Sequence, residues 1–313
     1  MKDTPEISVV MSVYNGAHHL RETIESVLTQ EGVSLEFIIV DDGSTDGSAQ
    51  VLDRYSKLDG RVRVIEQDNT GLTKALIKGC SEARGSLIAR QDAGDLSLPG
   101  RLSRQLACFR ENPDSAFISC GTSYVGPDGE HLYDVTRKTV EGTTRSITLE
   151  PDEVDGPSSH PSTLFSRSMY EQVGGYRPQF YFAQDLDLWT RLAEQGRHVA
   201  IPDILYRASV TVESISGQYR REQVEMRGII VESARLRRKG LSEQGTLNRA
   251  ESIRPFDRKA SSGLGRARAL YFIGSCLRQR NNPRAVYYFR QALKAYPLHL
   301  KSAVRLLGGW RAR

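Results

Sequence analysis

The run Ile7-Ser8-Val9-Val10-Met11-Ser12-Val13, and after it Leu35 to Val40 leading into Asp41-Asp42-Gly43-Ser44-Thr45-Asp46, decides the fold class. Between the two runs Leu20, Ile24, Val27 and Leu28 recur at helical spacing, so the order reads strand, helix, strand. A second helical pattern, Val51, Leu52, Tyr55 and Leu58, follows the turn at Gly43 to Thr45; Val62 to Ile65 then reads as a third strand and Leu87 to Ala89 as a fourth. Strands alternating with helices predict a parallel sheet with right-handed crossovers. Such sheets take their ligands beyond the carboxyl ends of the strands.

Moving outward, Gly126-Pro127-Asp128-Gly129 between Ser123–Val125 and His131–Tyr133 predicts an inserted hairpin, which makes the sheet mixed. Thr163 to Ser166, a helical pattern from Leu186 to Ala193, and the short runs Val199–Ile201 and Ile204–Tyr206 complete a core expected to span residues 1–218. From Tyr219 the pattern is helical, giving an expected C-terminal region of residues 219–313. Within it Gly274, Ala285, Phe289, Ala292 and Pro297 fall close to a tetratricopeptide-like helix pair, with a plain helical hairpin as the alternative.

With 39% apolar and 26% charged residues, the 313-residue chain has the composition of a globular protein and excludes wholesale disorder. No run of eighteen apolar residues occurs, so a bilayer-spanning helix is not expected, and the start, Met1 to Val13, lacks a signal-peptide pattern. Cys80, Cys108, Cys120 and Cys276 show no CxxC spacing, which argues against a zinc site or disulfide framework and for a reducing, cytoplasmic setting. The net charge of +5 conceals a division. Residues Arg258 to Arg313 hold thirteen Lys or Arg and no acid, whereas the preceding 257 residues carry 30 basic and 38 acidic groups. Such a tail suits the anionic inner face of a membrane, and a cytoplasmic protein peripheral to that face is the expectation. A solvated face is the plain alternative. Nucleic acid ranks last as a partner, because no nucleic-acid motif accompanies the charge.

Three acidic constellations can carry chemistry. Asp41 and Asp42 emerge at a tight turn after the second strand, where carboxylates accept hydrogen bonds from a nucleobase or ribose; helix capping by Ser44 or Asp46 and a turn role for Asp41 account for the same stretch without a ligand. Arg90-Gln91-Asp92-Ala93-Gly94-Asp95 repeats the pattern after the fourth strand, and carboxylates there suit ribose hydroxyls and a hard divalent cation. Phe182-Ala183-Gln184-Asp185-Leu186-Asp187-Leu188-Trp189 opens a helix whose dipole favours Asp185, and the functional role for that residue is a general base. His160 reads as readily as a hydrogen-bonded core histidine as a reactive one.

Taken together, Ser8 to Asn15, Val40 to Asp46, Asn69 to Gly79, Ala89 to Asp95, Pro99 to Leu102 and Gln184 to Trp189 resemble the family 2 glycosyltransferases of GT-A fold, over roughly residues 5 to 215. The resemblance implies an α/β GT-A architecture, a Rossmann-like, mostly parallel mixed sheet flanked by helices, followed here by the helical extension. It implies that Ser12, Tyr14 and Asp42, with Asp41 beside them, hold the nucleotide, that Asp92 reaches the ribose and phosphates, and that Asp185 is the base of a single, inverting displacement. The acceptor implied is a hydroxyl of a glycan or lipid-linked sugar in surface polysaccharide assembly. A Mg2+ or Mn2+ ion on the leaving diphosphate belongs to the same picture, with Asp92 and Asp95 as its ligands.

Three residues depart from the family pattern. Gly94 replaces the acid expected on the metal, which shifts that task toward Asp95 or toward basic side chains such as Arg90 and Lys74. Gln184 replaces a Glu and lessens like-charge repulsion on Asp185. Ile77 replaces an Asn near the nucleotide. The Gln-x-x-Arg-Trp run of processive members is missing, so addition of single sugars is expected. A catalytically silent nucleotide-sugar or glycan binder is the competing class, and transfer by an Asp185→Asn variant separates the two. A nucleotidyltransferase would carry a Gly-rich, Lys-bearing loop where this chain has Val13-Tyr14-Asn15-Gly16-Ala17-His18-His19.

Overall fold

The computed structural model describes residues 4–137, 156–212, 219–254 and 263–307. In chain order the first elements are β1 (Ile7–Val13), α1 (Ala17–Leu28), β2 (Leu35–Asp42), α2 (Ser48–Leu58), β3 (Val62–Gln67), α3 (Leu72–Ser81) and β4 (Leu87–Asp92). Then come β5 (Leu96–Ser97), α4 (Arg101–Glu111), β6 (Ser115–Val125), β7 (His131–Val135), β8 (Thr163–Ser166), α5 (Arg167–Gln172), α6 (Gln184–Leu192) and β9 (Arg197–Ser209). The last helices are α7 (Arg220–Arg238), α8 (Gln244–Ser252), α9 (Gly263–Gln279), α10 (Ala285–Ala295) and α11 (Leu300–Leu307).

The sheet runs β3-β2-β1-β4-β8-β6-β9-β5. Strands β3, β2, β1 and β4 are parallel, while β8 joins β4 and β6 antiparallel, so the sheet is mixed as expected. Both faces are covered. Val9, Met11 and Val13 of β1 pack with Leu20, Ile24, Leu52 and Leu102 from α1, α2 and α4. Val10, pointing the other way, packs with Leu76, Tyr170, Leu188 and Trp189 from α3, α5 and α6. A parallel strand buried on both faces reads as a continuous aliphatic run, which is why β1 and β2 stand out in the sequence. Helix α3 lies against this layer closely enough that a Cβ on Gly79 would come within 2.6 Å of Val10 Cγ1. Gly79→Ala is therefore expected to cost about 1–3 kcal/mol through overpacking, read as a lower urea midpoint.

The two runs expected at Val199–Ile201 and Ile204–Tyr206 form one strand, β9, continuous through Pro202. Pro202 is tolerated there because β5, one of β9's neighbours, is two residues long and pairs only at Tyr206 and Arg207. The four cysteines are free. Among the described residues no helix is long and apolar enough to cross a membrane.

The chain divides into two compact units, and the division corrects the single boundary expected after residue 218, which itself lies outside the described residues. The first unit comprises residues 1–122, 135–207 and 225–253; the second comprises 123–134, 208–224 and 254–313. Most of α7 and all of α8 thus belong with the sheet, not with the C-terminal helices. In the second unit the expected helix pair is present as α9 and α10, and Gly274 is needed for their contact, since a Cβ there would lie 2.8 Å from the Phe289 ring. Leu132, at the hairpin, packs with Leu270, Ile273, Leu277, Tyr288 and Phe289.

Candidate active site

Parallel register brings Ser12, Asp41, Asp42 and Asp92 to one edge of the first unit. Ser12 pairs with Val40 and with Asp92, and Val13 pairs with Asp41, so the ends of β1, β2 and β4 lie side by side. The segment after β1 is held by the one after β2: Asn15 N donates to Ser44 Oγ at 3.0 Å, and Thr45 N donates to Asn15 Oδ1 at 2.8 Å. Asn15 accepts a φ of 53° within this lattice, leaving Tyr14 53% exposed at the edge. Asp46 takes Ala17 N at 3.1 Å and Ser48 N at 2.9 Å, so a single carboxylate serves the first turns of both α1 and α2.

The adjacent acids have different tasks. Asp41 is buried and accepts from Ser44 N at 3.0 Å, the turn role that capping chemistry offered. Asp42 is also buried, and its oxygens receive Thr70 N and Gly71 N, both at 2.9 Å, and Gln67 Nε2 at 2.7 Å. Its carboxylate therefore shapes the loop before α3. That loop reaches the far side of the site. Gly71, with φ of 90°, lies so close to Tyr181 that a Cβ would sit 3.1 Å from its ring, and Thr73 Oγ1 donates to the Phe180 carbonyl at 2.9 Å. Lys74, on the same helix, is exposed.

At the end of β4, Asp92 is 40% exposed at its side chain and is paired with Arg90, whose Nη2 lies 2.5 Å from Oδ1. Arg90 itself is completely buried and also donates to the Val10 and Gln91 carbonyls. It supports Asp92 from below, a correction to the expectation that Arg90 meets the ligand directly. Asp95 needs a similar correction. It is buried, so its carboxylate is less open than that of Asp92, and its main-chain carbonyl accepts from Thr23 Oγ1 and Gln91 Nε2, both at 3.0 Å, which ties the turn together. Gly94 has φ of 93° and donates its N–H to Thr23 Oγ1 at 3.0 Å. A left-handed turn clamped by Thr23 explains glycine where an acid was expected.

Asp185 stands in the first turn of α6, half-buried, beyond Ala183, which holds a φ of 53°. A non-glycine residue in the left-handed region costs about 1–2 kcal/mol, strain that fixes where α6 begins. Burial raises the pKa of Asp185 and the negative charge of Asp92 adds to the rise, while backbone N–H groups of Leu186 and Asp185 and the Arg90 charge oppose it. The two carboxylates are therefore near enough to repel. His160 donates or accepts through Nε2 with the Tyr176 hydroxyl at 2.6 Å and packs edge-on to Trp189. Burial, helped by Arg90, holds it well below the usual histidine range, so it is the hydrogen-bonded interior histidine.

Several supporting residues escaped the sequence reading. Buried Arg101 donates to the carbonyls of Arg90 at 2.9 Å and Pro161 at 2.5 Å and to Ser97 Oγ at 2.8 Å, with its guanidinium over the Tyr206 ring. The Tyr206 hydroxyl in turn accepts from Asp92 N at 3.2 Å and Gln91 Nε2 at 3.1 Å. Beneath α6, fully buried Asp187 binds both Arg177 and Arg191, and Arg177 continues to Glu243 at 2.9 Å, on the loop leading into α8. Glu243 also pairs with Arg237 of α7 at 2.8 Å.

Residues 8–174, just over half of the chain, match the model of the family described as Glycosyl transferase family 2. The chain belongs to that family. This family 2 glycosyltransferase is 30% identical over 213 residues to EpsE of Bacillus subtilis (strain 168), named as a glycosyltransferase, a match covering 66% of this chain and 74% of EpsE. It is 36% identical over 193 residues to TuaG of the same organism, named as a teichuronic acid biosynthesis glycosyltransferase, covering 61% and 73% of the two chains. Among solved structures, S. aureus TarS residues 1–349 in complex with UDP aligns with TM-score 0.56 at 17% identity, covering 98% of this chain and 93% of that one. A mannosyltransferase from Pyrobaculum calidifontis with GDP-Man and Mn2+ aligns with TM-score 0.55 at 18% identity, covering 98% and 80%. These alignments identify the fold of the glycosyltransferase as GT-A.

Proposed function

We propose that this glycosyltransferase moves one sugar, with inversion at the anomeric carbon, from a nucleoside-diphosphate donor to a hydroxyl of a glycan or lipid-linked acceptor in surface polysaccharide assembly. The observation that carries the proposal is the convergence of Ser12, Asp41 and Asp92 at the edge where β1, β2 and β4 end, with Asp185 near enough for the Asp92 charge to add to the rise in its pKa. The name of TuaG supports the substrate class, and the structures with UDP and GDP-Man support a nucleotide-sugar donor.

In this mechanism the nucleotide lies over the β1–β2 edge, with Ser12 and the exposed Tyr14 as contacts and the loop braced by Asp42 against it. Asp185 takes the proton of the acceptor hydroxyl as its oxygen bonds to the anomeric carbon, and the bond to the nucleoside diphosphate breaks on the opposite face. No covalent enzyme intermediate forms. A raised pKa makes Asp185 a stronger base than a solvated carboxylate. Among the described residues no group of three His, Cys, Asp or Glu is placed to hold a metal ion. The half-exposed Asp92 fits an ion bound mainly by diphosphate oxygens, which needs only one or two carboxylates. A Mg2+ or Mn2+ ion there would neutralise the leaving diphosphate.

The test is a donor screen scored by released nucleoside diphosphate, with and without Mn2+, followed by determination of the product's anomeric configuration; retention would overturn the mechanism. The pH profile offers a second check. Since only ionised Asp185 accepts a proton, kcat/KM should rise with pH along an acid limb lying above the ordinary aspartate range. A limb at the ordinary value would remove Asp185 as the titrating base.

A further inference from the structure

Helix α11 in the second unit presents three chemically distinct faces. With about 100° of rotation per residue, Leu300, Val304 and Leu307 fall on one side, Lys301 and Arg305 on the next, and Ser302 and Leu306 on the side turned to the unit's own core. The first side is open to solvent: Leu300 is 75% exposed, Val304 65% and Leu307 86%, with the preceding Leu298 at 73%. On the basic flank, Arg305 helps line a cavity of about 190 Å3 together with Arg278 and Arg290, against Ala285, Val286 and Phe289. No acid occurs anywhere from residue 258 to 313.

We propose that α11 is the membrane-docking element of this glycosyltransferase, inserting Leu300, Val304 and Leu307 among the lipids of an anionic bilayer while Lys301 and Arg305 meet the headgroups and the arginine-lined cavity takes a headgroup phosphate. The proposal specifies the membrane side of the lipid-linked acceptor and rests on the proposed function for its purpose, though not for the contact itself. The chemistry selects the partner. Adjacent apolar and basic stripes are the arrangement of a helix lying in a membrane interface, where long cationic side chains reach to the headgroups. A helix of eight residues is about 12 Å long, and a bilayer receives so short an apolar stripe without demanding a complementary shape.

The test compares sedimentation of the full chain on phosphatidylcholine vesicles and on equimolar phosphatidylglycerol–phosphatidylcholine vesicles. Wild type should bind the anionic vesicles only. The exposed triple variant Leu300→Gln, Val304→Gln, Leu307→Gln should lose at least about tenfold in binding, and Arg290→Gln with Arg305→Gln should lose a comparable amount, both with wild-type melting temperatures. Equal binding by wild type and the triple variant, or equal binding to neutral vesicles, overturns the proposal. So does displacement by millimolar inorganic phosphate, which would make the cavity a site for free phosphate. A wild-type dimer that the triple variant converts to monomer without vesicles would assign the stripe to a second copy of the chain and also overturns it. Nucleotide binding and diphosphate release, measured on the same preparations without vesicles, separate failure of the docking proposal from failure of the transfer mechanism.

Discussion

Asp185→Asn is expected to lower sugar transfer on the order of 10²–10⁴-fold, equivalent to about 3–5 kcal/mol of transition-state stabilisation, with donor affinity nearly unchanged. The amide keeps the shape and the start of α6 but cannot take a proton. The same variant should be more stable than wild type at neutral pH. Because the folded state raises the pKa of Asp185, folding favours the protonated form. The associated stability is complete below the ordinary aspartate pKa and is lost as pH rises through the folded value. Asparagine avoids that loss, so its melting temperature should exceed wild type at pH 7 and converge with it in acid. A variant both inactive and less stable at pH 7 would mean that Asp185 is a structural residue of α6.

Asp187→Ala, two residues further on, is expected to act in the opposite way. Asp187 is fully buried between Arg177 and Arg191, whose side chains are 14% and 5% exposed. Removing it leaves the desolvated Arg191 guanidinium without its acid and Arg177 with Glu243 alone, and breaking buried pairs of this kind costs about 3–5 kcal/mol. Chemical denaturation should show the loss, and activity should fall with it, since Arg177 links α6 to Glu243. A loss under about 1 kcal/mol, the range of exposed pairs, would show that water reaches the cluster.

Much of the fold was legible because parallel strands buried on both faces leave unbroken aliphatic runs, as in β1 and β2. Strand β6 was seen only at its end, Ser123 to Val125, because Ser115, Ser119 and Thr122 resemble turn residues while being buried, Ser119 against His198 at 2.8 Å. Within the site, the sequence pointed to the carboxylates but not to what surrounds them. Arg90 was expected at the ligand and Arg101 carried no expectation, because nothing in a linear pattern tells that main-chain carbonyls will enclose them. Asp42 read as a nucleobase ligand, and the structure adds that its oxygens also hold Thr70 and Gly71; glycine at residue 71, just ahead of a helix, was the available signal for that loop. The role of residues 225–253 was illegible for a different reason: Arg237 reaches Thr190 of α6 and Glu243 reaches Arg177 across tens of residues, and helical periodicity says only which face is apolar, not which unit it joins.

The interleaving of the two units has a consequence for how the protein is made. Leu132 packs in one core with α9 and α10, and Val210 and Val212 pack against it, so these earlier residues have no completed core until the last helices have left the ribosome. At ordinary rates of synthesis the hairpin around Gly129 waits on the order of ten seconds for those helices. During that interval it is a nascent strand pair with an uncovered leucine, and Asp128, Glu130 and Asp134 place along it the charges that disfavour edge-to-edge pairing with another chain.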